Sequence, residues 1–213
     1  MSQGPDRRDP YRTFAGWYDK IFEPMNRGLR LLGLRMFMPK PGMAVLDVGC
    51  GTGAQLELYQ RFDCALFGID SSPSMLELAK ARLEDRADLR LGNAVELPYE
   101  AGLFELVISM LSLHEMDPQV RIGAVEEMKR VLKDSGRLLL IDHHPGPVQP
   151  VKGWITKAIV LAAEAAAGRQ HFSNYRQFMS IKGLPALAET CSLSPLKRKV
   201  VGGGALILML LKK

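Results

Sequence analysis

Apolar positions along the chain follow two spacings, short continuous runs and longer stretches with a helical period. The stretch "MAVLDVG" (43–49) is short, contains β-branched residues and is followed by glycines, which is typical of a buried strand. Four more runs of this kind lie at 64–70, 88–94, 104–110 and 135–143. Stretches with helical periodicity separate them, at 54–62, from Ser72 onward and at 120–133. Strands that alternate with helices predict a parallel sheet with helices on both faces, the doubly wound α/β class.

The pattern changes after His144. Two helices are predicted, at 151–168 and at about 173–191. They are followed by two predicted strands, "PLKRKVV" and "GALILMLLKK", with only "GGG" (202–204) between them. A connection that short makes the two strands antiparallel neighbours. The sequence therefore predicts a seven-stranded, mostly parallel sheet that a C-terminal antiparallel hairpin closes.

The chain is predicted to contain one main domain with two helical additions. Residues 1–40 are expected to form an N-terminal helical cap, with a helix over 17–38, and residues 41–213 the α/β domain. Within that domain the segment 145–180 interrupts the strand–helix alternation and is predicted to be a helical lid. The first residues, "MSQGPDRRDPYRTF", contain no apolar signal core, and no run approaches the ~18 apolar residues of a membrane span.

Composition and charge narrow the class of protein. With 47% hydrophobic and 24% charged residues, the chain resembles an ordinary α/β domain. Its three cysteines are an odd, scattered set, which favours a reducing cytoplasm and predicts no metal site. The net charge of +5 is not accompanied by interleaved aromatic and basic residues, so no nucleic-acid partner is expected. Peripheral contact with an anionic membrane and the oligomeric state stay open.

A glycine-rich turn follows the first strand and reads Asp47-Val48-Gly49-Cys50-Gly51-Thr52-Gly53. Glycines let the backbone approach a ligand closely, and the helix that follows offers its first N–H groups. Asp70 lies at the end of the second strand, where an acid can accept hydrogen bonds from ribose hydroxyls. The turn and Asp70 together predict a ribose-bearing ligand, and they leave a dinucleotide and S-adenosylmethionine both open.

Asp47 favours one of these ligands. A carboxylate next to the turn would repel the two charges of a pyrophosphate. S-adenosylmethionine has no phosphate and brings two cationic groups, an ammonium and a sulfonium. The alternative is that Asp47 only accepts hydrogen bonds from the amides of its own loop.

Four stretches carry a family resemblance: "VLDVGCGTG", "GIDSSPSML", "GNAVELPYEAGLFELVISMLSLHEM" and "VLKDSGRLLLIDH". They resemble the successive motifs of class I S-adenosylmethionine-dependent methyltransferases, over residues 40–144. The most similar branch contains the ubiquinone/menaquinone-biosynthesis C-methyltransferases and many small-molecule methyltransferases. The resemblance implies a Rossmann-like methyltransferase domain, and "FAGWYDKIF" resembles the helix that precedes the core in this branch.

The resemblance also implies which residues bind S-adenosylmethionine. The methionine half would lie against the glycine turn and the end of the fourth strand, the ribose at the second strand, and the adenine after the third. Residues carried over in that order are Asp47, Gly49, Cys50, Gly51, Gly53 and Ser109, then Asp70 and Ser71, then Asn93 and Ala94. Tyr18 would either cover the cofactor or simply pack. The family often has Asp at the position of Asn93.

A proton acceptor is needed only if the methyl acceptor is protonated. His114 follows the fourth strand, and His143 and its neighbour His144 end the fifth, so His114 and His143 are the candidate catalytic bases. Each of them could instead be a packing residue. The lid is expected to contact the substrate through aromatic side chains, which suits an apolar or planar acceptor: Trp154, His171, Phe172, Tyr175 and Phe178. Packing in the core explains these aromatic residues equally well.

The sequence thus predicts a cytoplasmic enzyme that transfers a methyl group from S-adenosylmethionine to a small-molecule acceptor. One alternative is a non-catalytic S-adenosylmethionine-binding protein. Another is a nucleotide-dependent oxidoreductase, which Asp47 and the terminal hairpin make less suitable.

Overall fold

The computed structural model describes the backbone of residues 15–213, with side chains at position 23 and from position 26 onward. Seven strands form its sheet: β1 Ala44–Val48, β2 Ala65–Asp70, β3 Asp88–Leu91, β4 Phe104–Met110, β5 Leu132–His143, β6 Ser194–Val201 and β7 Leu206–Lys212. The α-helices are α1 Ala15–Met36, α2 Ala54–Glu57, α3 Pro73–Leu83, α4 Pro118–Val131, α5 Lys152–Ala166, α6 Arg169–Ser180 and α7 Gly183–Thr190.

The strand order across the sheet is β3-β2-β1-β4-β5-β7-β6. Strands β1 to β5 pair in parallel, and β7 pairs antiparallel with both β5 and β6. The predicted fold class is confirmed, including the closing hairpin. The strand order reverses direction between β1 and β4, and ligands of such sheets bind outside the carboxyl ends of the strands at this point.

Two apolar cores cover the two faces of the sheet. Successive residues of β1 alternate between them, with Leu46 and Val48 in the core on one face and Val45 in the other. Helix α4 packs on the first face, whereas α1 and α3 pack on the second. At Gly33 helix α1 approaches β5 so closely that a β-carbon would lie 3.0 Å from Ile141 Cδ1. Each buried Val, Leu or Ile side chain in these cores stabilises the fold by roughly 1.5–3 kcal/mol relative to an exposed one.

The single helix predicted at about 173–191 is wrong, because the structure has two helices there. Helix α6 ends at Ser180 and α7 begins at Gly183. Lys182 and Gly183, the first residue of α7, have φ angles of 71° and 62°, so one continuous α-helix cannot run through them. A β-carbon on Gly183 would also lie 3.0 Å from the carbonyl oxygen of His143, so glycine allows α7 to approach the end of β5.

Three predicted boundaries also differ from the structure. Helix α2 stops at Glu57, and a 3₁₀ turn at Gln60–Phe62 occupies the rest of the predicted helix. Strand β3 ends at Leu91, three residues early. Strand β5 begins at Leu132 rather than 135, because this buried residue pairs with Phe104 of β4 and thereby ends helix α4.

Within residues 15–213, none of the helices combines the length and the apolar character that crossing a membrane requires.

Candidate active site

The glycine turn after β1 is built by three residues with positive φ, at 75° for Gly49, 53° for Gly51 and 75° for Gly53. Two of these glycines are required by packing. A β-carbon on Gly49 would lie 2.8 Å from Ser112 Cβ, and one on Gly53 2.8 Å from Leu83 Cδ1. At Gly51 no atom of the described residues lies within 4 Å of that position. A ligand can therefore reach the backbone of the turn at Gly51.

Asp70 ends β2 and holds the turn in place. Its Oδ2 accepts a hydrogen bond from Gly51 N at 2.8 Å, and its Oδ1 accepts one from Ser72 N at 2.9 Å. A carboxylate can accept about four hydrogen bonds, so loop amides and ribose hydroxyls can share it. Ser71 beside it is exposed, whereas Ser72 caps helix α3 by accepting a bond from Met75 N at 3.2 Å.

Asp47 lies beneath the turn and is 2% exposed. Burial raises the pKa of this carboxyl from 3.8 to about 7, with the nearby Arg30 guanidinium opposing the shift and Asp70 adding to it. Asp47 Oδ1 has no hydrogen-bond partner among the described residues. The same holds for the Arg30 Nε, the Gln55 amide atoms and the Tyr59 Oη, all of them buried. Because buried polar atoms are normally hydrogen-bonded, this group fits a polar ligand.

Arg30 and Gln55 were not among the predicted site residues. Gln55 is the second residue of α2, so its place directly after the glycine turn was a usable signal. Arg30 comes from α1, far from the turn in sequence, and its helix gives no local sign that it approaches Asp47. Its guanidinium forms an ion pair with Glu23 at 3.1 Å and also contacts Met110 Sδ at the end of β4, at 3.4 Å.

Other predicted cofactor residues surround the same strand ends. Ser109 is buried, and its hydroxyl lies 2.7 Å from the hydroxyl of Ser112, which packs against Gly49. The thiol of Cys50 is turned toward Gly68 of β2, so Cys50 can meet a ligand only through its backbone. Burial raises the pKa of that thiol well above its usual value.

The remaining predicted cofactor residues lie at the edge of this group or outside it. Asn93 is exposed, and its Oδ1 accepts a hydrogen bond from Val95 N at 3.2 Å, while Ala94 is half-buried. Both follow β3, whose end is tied to β2 by a hydrogen bond from Gly92 N to the Asp70 carbonyl at 3.0 Å. The side chain of Tyr18 lies outside the described residues, so its predicted covering role is not addressed.

His114 and His143 meet at the carboxyl ends of β4 and β5, with ring centroids 4.5 Å apart. His114 Nδ1 lies 2.8 Å from Asp142 Oδ1, and its backbone N–H donates to Asp142 Oδ2 at 3.2 Å. Burial disfavours the charged form of His114, but Asp142 and Glu164 outweigh it and raise its pKa well above the usual value. Burial and the charge of His114 lower the pKa of His143.

Two residues from the helical segment after β5 join these histidines. Glu164 of α5 has one carboxylate oxygen 3.3 Å from His114 Nε2 and 3.5 Å from His143 Nε2. Its other oxygen lies 2.8 Å from Nε2 of His171, which α6 provides. Glu164 is buried although it interrupts an apolar stretch, which was the available sequence signal that it has a specific partner.

The aromatic residues of this segment have different roles in packing. Tyr175 is buried, with its ring centroid 5.0 Å from that of His143. Phe172 stacks on Tyr175 at 6.4 Å. Phe178 is fully buried in the core, and the Arg121 guanidinium lies 4.7 Å from its ring centroid. Trp154 is exposed, so among the predicted lid aromatics Tyr175 and His171 are nearest to the histidine cluster.

The residues under the turn fit S-adenosylmethionine. The carboxylate of Asp47 suits the ammonium group of this molecule, and the Gln55 amide and Arg30 suit its carboxylate. Gly51 and Asp70 lie where the ribose can approach the backbone. A pyrophosphate would instead bring its negative charges against a buried acid.

Comparison with known proteins agrees with this fit. A family model described as a methyltransferase domain matches residues 46–140. An uncharacterized methyltransferase of Synechocystis sp. is 35% identical over 144 residues, which cover 63% of this chain and 68% of that protein. A demethylmenaquinone methyltransferase of Bacillus mycoides is 32% identical over 155 residues, or 67% of this chain and 65% of that protein. A malonyl-acyl-carrier-protein O-methyltransferase of Herminiimonas arsenicoxydans is 40% identical over 101 residues, covering 46% and 36%. The chain thus spans less than two thirds of the length of the last two relatives.

Solved structures share the fold. A methyltransferase from Aquifex aeolicus, described as dependent on S-adenosylmethionine, superposes with a TM-score of 0.65 at 17% identity, over 93% of this chain and 98% of that one. Phosphoethanolamine N-methyltransferase 2 of Haemonchus contortus, in complex with S-adenosylmethionine, gives a TM-score of 0.69 at 16% identity, over 98% and 58%.

The matching family model runs from β1 through most of β5, the part of the sheet that carries the glycine turn, Asp70 and Ser109. One assignment agrees with the turn suited to a cationic ligand, the relative of 35% identity and the shared sheet topology. The chain belongs to the class I S-adenosylmethionine-dependent methyltransferases, and S-adenosylmethionine is its methyl donor.

Proposed function

We propose that the protein methylates a small-molecule acceptor, which binds at the carboxyl ends of β4 and β5 beneath helices α5 and α6. One observation carries this proposal. The segment after β5 folds over these strand ends and encloses a narrow cleft, whose lining includes His143, Lys157 and Tyr175. The cavity in this cleft is about 10 Å³, far below the roughly 300–1,000 Å³ of typical ligand pockets, so helices α5 and α6 must move apart for an acceptor to enter.

The segment 145–180 acts in this proposal as the lid that was expected from the sequence. Its helices contribute Glu164, His171 and Tyr175 to the strand ends, so the acceptor would be enclosed by side chains from both the sheet and the lid. Enclosure matters because methyl transfer to an acceptor requires water to be excluded from the reacting atoms. The N-terminal cap, to which α1 belongs, contributes Arg30 beneath the donor.

The donor supplies a methyl group that its sulfonium already activates. The chain then has to hold the donor, align the acceptor and, for a protonated nucleophile, remove one proton. Asp47, Gln55 and Gly51 would hold the methionine half, and Asp70 the ribose. His143 lines the cleft and is the side chain placed to take a proton, whereas His114 is engaged by Asp142 and would position its neighbours.

Two further observations support this reading. Relatives named demethylmenaquinone methyltransferases act, by their name, on a small acceptor with a ring system. The three cysteines of the chain, Cys50, Cys64 and Cys191, are free thiols, which supports a reducing compartment such as the cytoplasm.

The proposal is tested by incubating an extract with the full chain and methyl-labelled S-adenosylmethionine, followed by mass spectrometry of the small-molecule, protein and nucleic-acid fractions. We expect label in one or a few small molecules, and none with the Gly51→Val variant. Label that appears only in protein or nucleic acid would contradict the small-molecule acceptor.

A further inference from the structure

We propose that His114, Glu164 and His171 bind one divalent transition-metal ion, with zinc as the best-suited metal. Their ligand atoms, one from each residue, all lie within 4.8 Å of one another. His114 Nε2 is 3.3 Å from one Glu164 oxygen, and His171 Nε2 is 2.8 Å from the other. Zinc lies about 2.0–2.1 Å from nitrogen and oxygen ligands, so ligands in a tetrahedron are roughly 3.3 Å apart. The three side chains are thus close enough to share one small ion.

One oxygen of Glu164 is not satisfied by an aligned hydrogen bond. Glu164 Oε2 is buried and has no hydrogen-bond partner among the described residues, although His171 Nε2 is only 2.8 Å away. The His171 ring is therefore not aligned as a hydrogen-bond donor to this oxygen. A buried carboxylate oxygen without an aligned donor is costly, and coordination to an ion satisfies it without such alignment.

The far side of each imidazole has the arrangement found at metal centres. His114 Nδ1 faces Asp142 Oδ1 at 2.8 Å, and His171 Nδ1 faces Glu115 Oε2 at 3.3 Å. A carboxylate at Nδ1 fixes the proton on that nitrogen and leaves the Nε2 lone pair available. Both Nε2 atoms lie close to oxygens of the same carboxylate, so an ion placed between the three side chains would be within reach of both lone pairs.

The charge balance also favours a cation. Three carboxylates, from Asp142, Glu164 and Glu115, meet the imidazoles of His114, His143 and His171 in a largely buried setting. Buried charges are stable when they are paired or coordinate a metal. Two nitrogen ligands and one oxygen ligand suit zinc and similar metals, whereas Mg²⁺ prefers an all-oxygen shell.

Three protein ligands leave at least one coordination position for a water or a substrate atom, as in catalytic zinc sites. If the proposed function holds, that position lies on the acceptor side of the donor, and the acceptor atom would be an oxygen or sulfur that the metal helps to deprotonate. His143 Nε2, 3.5 Å from Glu164 Oε1, stands beside the centre and could receive that proton. The metal site itself does not depend on this consequence.

Metal binding is tested on the full chain after removal of metals with a chelator. Calorimetric titration with Zn²⁺ should give one site per chain, and Co²⁺ should give the visible absorption of a four- or five-coordinate ion, while Mg²⁺ should not compete. His171→Ala and Glu164→Gln should lower the Zn²⁺ affinity by more than ~100-fold, and Glu115→Gln by roughly 10–100-fold.

His144→Ala is the matched control. His144 is next to His143, but its Nδ1 lies 3.0 Å from the Gly204 carbonyl oxygen, outside the cluster. This variant should keep the zinc stoichiometry and affinity. Calorimetry with S-adenosylmethionine checks that every variant is folded. Equal Zn²⁺ affinities for the unmodified protein and Glu164→Gln, or an equal loss in His144→Ala and His171→Ala, would overturn the site.

The role of the metal in activating the acceptor is tested separately from the proposed function, by assaying methyl transfer with and without Zn²⁺. Transfer that rises at least tenfold when Zn²⁺ is restored would support the role of the metal. Transfer to a small molecule at the same rate in metal-free protein would refute that role and leave the proposed function standing. One zinc per chain with no small-molecule methylation under any metal condition would refute the function and leave the metal site standing.

Discussion

Gly51 donates its backbone N–H to Asp70 Oδ2 at 2.8 Å, so the open point of the glycine turn is tied to the acid at the end of β2. The residue expected to bind the ribose therefore also fixes the conformation of the loop that the donor contacts. Loss of the Asp70 carboxylate should therefore affect ribose binding and the loop conformation together.

Asp70→Ala is expected to weaken S-adenosylmethionine binding by roughly 1.5–3 kcal/mol, the cost of losing a hydrogen bond to a charged group. Asp70→Asn keeps one acceptor for the Gly51 amide and should lose less. Calorimetry measures both affinities, and thermal melting shows whether the fold is retained. If Asp70→Ala binds the donor as tightly as the unmodified protein, Asp70 is not part of the site.

Gly51→Val is expected to abolish donor binding, because the side chain would occupy the open side of the turn. The substitution also strains the backbone, since φ is 53°, and this costs about 1–2 kcal/mol of stability. Gly42→Val is a matched control, with φ at 80° and no described atom within 4 Å of a β-carbon, at a turn before β1. Gly42→Val should lose similar stability and keep donor affinity; equal donor affinities of the two variants would exclude Gly51 as the point of approach.

Asp47 should make donor binding depend on pH. Its pKa is raised from 3.8 to about 7 in the free protein, so the carboxyl is partly protonated near neutrality. The ammonium of the donor favours the carboxylate, and binding should therefore release a proton and weaken as the pH falls below 7. Titration calorimetry in buffers of different ionisation enthalpy measures this release, and Asp47→Asn should abolish it. A proton count of zero at pH 6 would contradict the contact.

The same shift has a consequence for stability in the absence of donor. An acid with a raised pKa in the folded protein favours folding fully below its unfolded pKa, and this contribution is lost as the pH rises through the folded value. Relative to Asp47→Asn, the unmodified protein should therefore lose stability between pH 3.8 and about 7, by at most ~1.4 kcal/mol per pH unit. Parallel denaturant titrations of the two proteins across this range would reveal a constant difference if the shift is absent.

Tyr175 and Phe178 should respond differently to substitution, although both lie on α6. Phe178 is fully buried against Arg121, so Phe178→Ala should destabilise the fold by about 3–5 kcal/mol, with turnover per folded molecule little changed. Tyr175 packs against His143 beside the cleft, so Tyr175→Ala should reduce turnover far more than donor affinity. Melting, calorimetry and turnover are measured on the same samples. A Tyr175→Ala variant that loses stability but keeps its turnover would place this residue in the core alone.

Much of the fold could be predicted because its signals are local. The run ending at Val48 is apolar and is followed by glycines, and the separation "GGG" fixes the terminal hairpin whatever the rest of the chain does. The break between α6 and α7 was missed because Lys182, a residue that rarely adopts positive φ, begins it. That conformation is maintained by tertiary contacts at Gly183, which no local pattern reveals.

The candidate site was predictable where the chain supplies its residues at strand ends. His114 and His143 were expected there, and the parallel pairing of β4 with β5 brings them together. Glu164 and His171 come from two helices whose position over the sheet depends on packing rather than on spacing. The expectation of no metal site rested on cysteine spacing, whereas the site proposed above consists of histidines and one glutamate from separate elements, which have no such spacing. Arg30 was missed because its position, too, depends on how its helix packs rather than on spacing in the sequence.

The hairpin that closes the sheet also provides one of its edges, and this edge determines whether another protein chain can pair with the sheet there. Strand β6 is the edge strand, and its residues from Ser194 to Val200 are exposed. An open edge invites another strand to pair with it, whereas lysines and a proline on the edge oppose this. Strand β6 contains Pro195 and the run Lys197-Arg198-Lys199, so two copies that approached edge to edge would meet with like charges and one missing N–H donor. Self-association by extension of the sheet is thus disfavoured at β6, and substituting these basic residues by threonine should raise the tendency to aggregate without altering the fold.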